Sequence, residues 1–478
     1  MLRTSGLRPV SGSTFAFWLL AALFAVLWLA GGASRADAPG QPAVRLAAWG
    51  ILLALVFVAP APQLSRPGPV AALLGAAVVL VVLQLLPLPP TIWTSLPGRE
   101  LLLEAARAIG EPQPWRPLSI SPAATGNALG ALVVPVATFL VARQLDLGRQ
   151  RQLITLLLTL IIGGAVVGLL QFTGAGIDNP FLNDIPGSVS GNFANRNHFA
   201  MFMAIGCLLL PMWAFRDHPA RIWKIGASAG LIPFLLLVIL ATGSRMGLLL
   251  TIVGLVLGLL IVRREAGAAL KRLPRRARLI LPVVLGAVVL AAIAASVLLD
   301  RAAAVDRALT LQSGADLRVA ALPVIWGLVT QYFPVGAGFG TFDPVYRIVE
   351  PDALLQTTYL NHAHNDWLEI PLEGGLPAIA LLLTAVLWWV VSSVRIWRSE
   401  SRGRMLAKAG SAIIFLVLLA SITDYPARTP MIMAILVVAA VWMTGPSPSS
   451  SGAEKVALAD GDKRASRSSA LRDGKLRL

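Results

Sequence analysis

The densest run of reactive side chains in the 478-residue sequence is Asn361-His362-Ala363-His364-Asn365-Asp366. Two imidazoles two positions apart share a face on extended backbone, so one chemistry open to them is metal chelation. The chain has only four His and one Cys, and His218 falls in a predicted inner loop, which leaves His198 and carboxylates as the other donors. The second chemistry is general base catalysis by His364, since an imidazole with a pKa of about 6.5 accepts a proton near neutral pH. A third, blander role is a loop hydrogen bond.

Two arginines stand in comparable settings. Arg245 closes Thr242-Gly243-Ser244-Arg245, a tight connection between apolar runs. It either snorkels to anchor a helix end or offers its guanidinium to an anion. Arg318 opens a predicted helix over 316–331, interrupted by Pro323. It is either a solvated loop residue or the partner of Arg245 in gripping a diphosphate with permanently charged, forked donors. Such donors stabilise charge that develops on a departing diphosphate. Asn195-Arg196-Asn197-His198 and Asp424-Tyr425-Pro426-Ala427-Arg428 are further polar runs of the same kind.

The elements that must position these residues are membrane spans. Hydrophobic residues make up 56% of the chain and charged residues 13%, with a mean hydropathy of +0.74. Soluble domains carry about 25% charged residues. Apolar runs long enough to cross a roughly 30 Å hydrocarbon core recur along the chain. They fall at roughly 14–33, 43–62, 69–88, 126–143, 151–171, 197–215, 225–242, 246–263, 279–298, 367–392, 407–424 and 429–445. With the N-terminus inside, the inner segments and adjoining span ends hold 28 of the 40 Lys and Arg, including all six Lys. This bias predicts about twelve spans with both termini cytoplasmic. The net charge of +16 is thereby an orientation signal. Aromatics are not interleaved with the basic runs as a stacking platform would need, so no nucleic-acid partner is expected.

The predicted fold is all-α and polytopic, about twelve transmembrane helices with a large periplasmic loop containing short helices. N-terminal spans and a first outer loop occupy 1–125, and central spans occupy 126–298. A periplasmic lid loop follows over 299–366, then C-terminal spans over 367–445 and a disordered basic tail over 446–478. Within the first outer loop, 101–109 is amphipathic and is followed by Pro112, Pro114, Trp115 and Pro117, which suits a helix at the interface. Arg3, Arg8 and the run ending at Ala36 also fit a signal peptide, but the apolar stretch is longer than a usual signal core, so an uncleaved span is expected. Cys207, alone within a span, allows no intrachain disulfide. The five polar runs all fall toward the outer side, predicting a site at the periplasmic membrane boundary. A transporter or flippase instead predicts polar groups along a midplane path, where the spans carry little charge.

These residues resemble the O-antigen ligase and polymerase superfamily of bacterial envelope glycan enzymes. The strongest match is His364-Asn365, nine residues, then Gly375. The ligase signature ends three positions later in Gly, Thr or Tyr, where this chain has Ala378. Thr242-Gly243-Ser244-Arg245 matches as well, as does Arg318 with Trp326, Pro334, Gly336, Gly338, Gly340 and Phe342. So do Gly191-Asn192-Phe193 with Asn195-Arg196-Asn197-His198, and Asp424 with Pro426 and Arg428. The resemblance implies a bacterial inner-membrane enzyme that needs neither metal nor other cofactor and inverts the anomeric centre. Its donor would be an undecaprenyl-diphosphate-linked glycan from the bilayer, and its acceptor a hydroxyl of lipid A core or of another glycan. His364 would be the catalytic base, and Arg245 and Arg318 the diphosphate-binding residues. His362, Asn365 and Asp366 would orient His364, while Arg196, Arg347 and Arg428 would add contacts to the anionic donor. Exopolysaccharide polymerisation and protein glycosylation are variant acceptor chemistries within the same superfamily.

Overall fold

The computed structural model describes residues 12–58, 68–177, 179–182, 188–217, 220–271, 314–355, 359–399 and 402–445, with a few helical positions between 286 and 294. The predicted span at 279–298 and the basic tail lie largely or wholly outside these residues. So do the cationic run 272–278 and the start of the lid loop.

Helices dominate, as the apolar periodicity requires. The described strands are Pro87–Leu88 and Arg116–Pro117, paired antiparallel. Among the described residues, seven helices are long and apolar enough to cross a membrane: Gly12–Ala30, Gly40–Phe57, Pro122–Ala142, Leu147–Phe172, Arg196–Ala214, Ile222–Thr242 and Asp366–Arg398. An eighth is counted if Arg245–Ile261 and the segment bent 74° from it form one span. Three more predicted spans correspond to shorter apolar helices, Pro69–Leu83, Met405–Ala420 and Pro430–Thr444. Exposed apolar side chains such as Phe57, Leu237 and Leu387 lie on the outer surface of this bundle, where hydrocarbon is the favourable solvent.

Arg196–Ala214 is the central helix: 89% of its apolar window is buried, and its sequence is apolar all round. Arg245–Ile261 packs closely along it. A Cβ on Gly258 would sit 2.5 Å from the Leu208 carbonyl oxygen, a contact only glycine permits. Leu147–Phe172, Ile222–Thr242 and Met405–Ala420 complete the surround.

Two loops that are distant in sequence join into one cap above the bundle. Ile120 N–H donates to the Ala337 carbonyl at 2.8 Å, and Phe339 N–H to Gln84 Oε1 at 2.9 Å. Arg99, 1% exposed, donates to the carbonyls of Pro97, Leu118 and Gly336 at 2.9, 2.6 and 3.1 Å. Burial lowers its pKa to about 10, so it keeps its charge at neutral pH and knits the loops together. The expected amphipathic helix, here Glu100–Ala108, follows Arg99 directly, and Arg318 is carried by the helix Gly314–Tyr332, with Pro323 inside it.

The glycine of the His364 signature has a structural task. Gly375 interrupts Asp366–Arg398 at φ +57°, ψ −152°, a conformation costly to any residue with a Cβ. Around it, Ala337 and Gly338 donate to the carbonyls of Leu372 and Glu373, and Leu376 N–H donates to Pro334 O at 2.8 Å. A Cβ on Gly375 would lie 2.2 Å from Pro334 O. Gly375→Ala is therefore expected to destabilise the protein by roughly 3 kcal/mol or more. The measurement is the melting midpoint of detergent-purified protein. A midpoint unchanged from the parent would refute this role.

Candidate active site

Three helix beginnings converge on Asp424. Asn195 caps Arg196–Ala214, its Oδ1 accepting from Asn197 N–H at 2.8 Å. Ser244 caps Arg245–Ile261, accepting from Gly247 N–H at 3.0 Å. Asn365 caps Asp366–Arg398, accepting from Trp367 N–H at 3.0 Å. Asn and Ser suit these positions because a short polar side chain satisfies an otherwise unpaired amide of the first turn.

Two of the caps also reach sideways. Asn195 Nδ2 donates to both carboxylate oxygens of Asp424 at 3.1 Å. Asn197 Nδ2 donates to Oδ2 at 2.7 Å, while Ser244 O–H donates to Asn197 Oδ1 at 2.8 Å. The positive ends of helix dipoles thus gather around one buried carboxylate. His198 Nε2 lies 3.4 Å from Asp424 Oδ1, and Thr429 Oγ1 lies 2.8 Å from His198 Nδ1. Burial opposes ionisation of Asp424, but His198, His364 and these donors outweigh it and hold its carboxyl well below the usual range.

His364 stands on this anion. Its Nδ1 lies 3.3 Å from Asp424 Oδ1, close but not aligned as a hydrogen bond. Its φ of +50° makes it the only non-glycine residue with positive φ among the described residues. That conformation costs about 1–2 kcal/mol, and the flanking backbone is fixed: Ala363 N–H donates to Glu369 Oε2 at 2.7 Å and Asp366 N–H to Ser421 O at 3.0 Å. Burial lowers the His364 pKa, Arg318 and His362 lower it further, and Asp424 partly opposes them. The ring is therefore neutral at pH 7. With Nδ1–H toward Asp424, Nε2 carries the lone pair.

Arg318 joins the group from the cap, its Nη1 4.0 Å from Asp424 Oδ2 and its side chain 38% exposed. Arg245 is the first residue of its helix, exposed and adjacent to the Ser244 that is tied through Asn197 to Asp424. Arg196 is also exposed at a helix start. Its guanidinium reaches over the same turn, 3.7 Å from where a Cβ on Gly243 would lie. His364 and Arg318 thus meet at Asp424, and the helix starts that carry Arg245 and Arg196 border the same cluster.

The remaining predicted residues take other places. Arg428 is ringed by carboxylates, 3.0 Å from Asp366, 3.1 Å from Glu369 and 2.9 Å from Glu373. Its pKa is raised because those three charges outweigh burial. Residues 366, 369 and 373 fall on one helix face, which is why a single arginine meets all three. His362 Nδ1 lies 2.7 Å from Glu369 Oε1. Burial and Arg428 nonetheless drive its pKa down to about 3, so it is a neutral donor to Glu369. Asp366 engages Arg428 and Ser421, and Asn365 serves its own helix. The ion pair of the His364 ring is with Asp424, not with any of these three. Arg347 pairs with Asp343 at 2.7 Å and lies 3.9 Å above the Tyr359 ring, on the helix Phe342–Val349.

His362 and His364 face different carboxylates, and both rings contact Tyr425, at 4.1 and 4.9 Å. Among the described residues, no group of three His, Cys, Asp or Glu is placed to hold a metal ion.

In the sequence Asp424 stands among the residues of the resemblance, but of the run 424–428 only Arg428 was expected to take part in the site. The available signal was a carboxylate between two apolar runs, a costly placement that calls for a partner. Glu369 and Glu373, buried at 0% exposure, were legible in the same way as acidic residues inside a predicted span.

Residues 229–383 match the family model of the O-antigen ligases. This segment of the chain is thus of O-antigen ligase type, within the ligase and polymerase superfamily. It holds Arg245, Arg318, His362, His364 and Gly375, whereas Arg196, Asp424 and Arg428 lie outside it. No curated protein matches the chain.

Proposed function

We propose that the protein is an O-antigen ligase: a membrane glycosyltransferase that moves a glycan from undecaprenyl diphosphate to a sugar hydroxyl of lipid A core at the periplasmic face of the inner membrane. The observation that carries this reading is the neutral His364 on the buried Asp424 anion, with arginines at the rim and an O-antigen ligase match across the segment.

In this reaction the acceptor hydroxyl gives its proton to His364 Nε2 as its oxygen bonds to the anomeric carbon. The bond from that carbon to the diphosphate breaks, and the electron pair leaves with the diphosphate. Arg245 and Arg318 balance the charge that grows there, and attack opposite the leaving group inverts the anomeric centre. The diphosphate linkage supplies the driving force. A polymerase would run the same step on a second lipid-linked repeat.

The test is transfer by purified protein from undecaprenyl-diphosphate glycan to lipid A core, with a second lipid-linked repeat as the alternative acceptor. Glycan-capped lipid A core is the expected product, and Arg318→Ala should reduce its rate about 10²- to 10³-fold. Chain growth on the second repeat instead would make the enzyme a polymerase. No product with either acceptor would overturn the reading.

A further inference from the structure

The wall that carries His362 and His364 has a second side. Behind His362, Asp366 and Arg428 lies a chamber of about 700 Å³, and neither His364 nor Arg318 nor Arg245 lines it. It adjoins a slot of about 390 Å³ whose lining is almost wholly apolar, between Pro69–Leu83, Asp366–Arg398, Met405–Ala420 and Pro430–Thr444. Ala77, Phe339, Ile370 and Leu381 border both spaces. A chamber that sets charged and amide side chains into a largely apolar wall, beside a slot with almost no polar lining, fits an amphiphile, headgroup against those polar groups and tail in the slot.

The chamber's charges narrow the headgroup. Arg35 is paired with Asp37 at 2.6 Å, and Arg428 has its three carboxylates. Arg45 differs. Among the described residues its printed partners are neutral, Asn127 Oδ1 at 2.7 Å and Gln41 Oε1 at 3.5 Å, and its Nε is buried with no acceptor. An arginine inside the apolar helix Gly40–Val58, charged and without a counter-ion there, is costly unless a ligand supplies the anion. Asn127, Asn361 and Tyr359 on the same walls offer hydrogen bonds suited to sugar hydroxyls.

We propose that chamber and slot form the acceptor site: they hold a phosphorylated glycolipid, its phosphate on Arg45, its sugars toward His362 and its tail in the slot. Donor and acceptor then approach the His364 wall from opposite sides. This rests on the transferase reading above. Lipid A core and a second polyprenyl-diphosphate glycan share the chemistry.

The test is native mass spectrometry of the full-length protein in nanodiscs, titrated with undecaprenyl-diphosphate glycan, phosphorylated lipid A core, or phosphatidylglycerol, combined with steady-state kinetics. The parent should hold two glycolipids at once, and Arg45→Gln should lose one of them. In kinetics Arg45→Gln should raise the KM for acceptor about tenfold or more, with the KM for donor unchanged and Arg45→Lys recovering part of the loss. Leu381→Trp, which fills the boundary between slot and chamber, should do the same. The arm that supplies the second bound lipid identifies the acceptor class. Retention of two glycolipids by both variants, equal occupancy by phosphatidylglycerol, or a rise in donor KM alone would overturn the proposal. Binding of two glycolipids without any transfer would defeat the catalytic reading while leaving the lipid site standing.

Discussion

His364→Ala is expected to lower glycan transfer by about 10²- to 10⁴-fold, the contribution typical of a positioned general base, while the protein still accumulates and melts normally. The side chain is only 11% exposed, and its described contacts, Nδ1 at 3.3 Å from Asp424 and the ring against Tyr425, lie within the site cluster and not in the packing between the long helices. Its backbone does the structural work. Alanine at φ +50° keeps about the same backbone cost as histidine, and the amides of Ala363 and Asp366 retain their acceptors. Loss of activity without loss of folding is therefore the signature. In kinetics, kcat should fall with little change in the KM for donor, because the diphosphate contacts are assigned to Arg245 and Arg318. Wild-type turnover in this variant would remove the base from the mechanism.

How much of this was legible in the sequence differs from element to element. The spans at 151–171, 197–215 and 225–242 were readable because unbroken apolar runs have one economical solution in a bilayer, and helices stand there. The spans at 69–88, 407–424 and 429–445 are shorter than the apolar runs suggested. Hydropathy continues beyond the helix end into turns such as Leu85-Leu86, and composition does not mark that boundary. That Arg318 and His364 meet, and that the helix start with Arg245 lies close by, was readable from the order of the motifs and from the outer side predicted for each. The division among the flanking residues was not. His362 and His364 look equivalent on paper, yet the positive φ of His364 turns one ring to Glu369 and the other to Asp424. Arg428 looks like an anion-binding residue until three carboxylates on one face of the neighbouring helix enclose it. Such pairings join positions far apart in the chain, 198 or 364 with 424, and no local periodicity encodes them.

Asp424→Asn is expected to reduce transfer by about 10²- to 10⁴-fold, the scale seen when the carboxylate orienting a catalytic imidazole is neutralised. The pH profile separates an orienting role from a merely structural one. In the folded protein His364 has a lowered pKa, from burial first and Arg318 next, with Asp424 pulling the other way. The base is active when neutral, so the acid limb of kcat/KM in the parent enzyme should lie below the ordinary histidine value. Removing the Asp424 charge deletes an influence that raises the pKa, so the limb should move to still lower pH even as the maximum rate falls. Removing the Arg318 charge deletes an influence that lowers it, so Arg318→Ala should move the limb upward. A packing defect at either position would scale the whole profile down without shifting it. Opposite displacements from the two variants follow from one imidazole lying between an anion and a cation, and equal or absent displacements would mean that His364 is not the group that titrates.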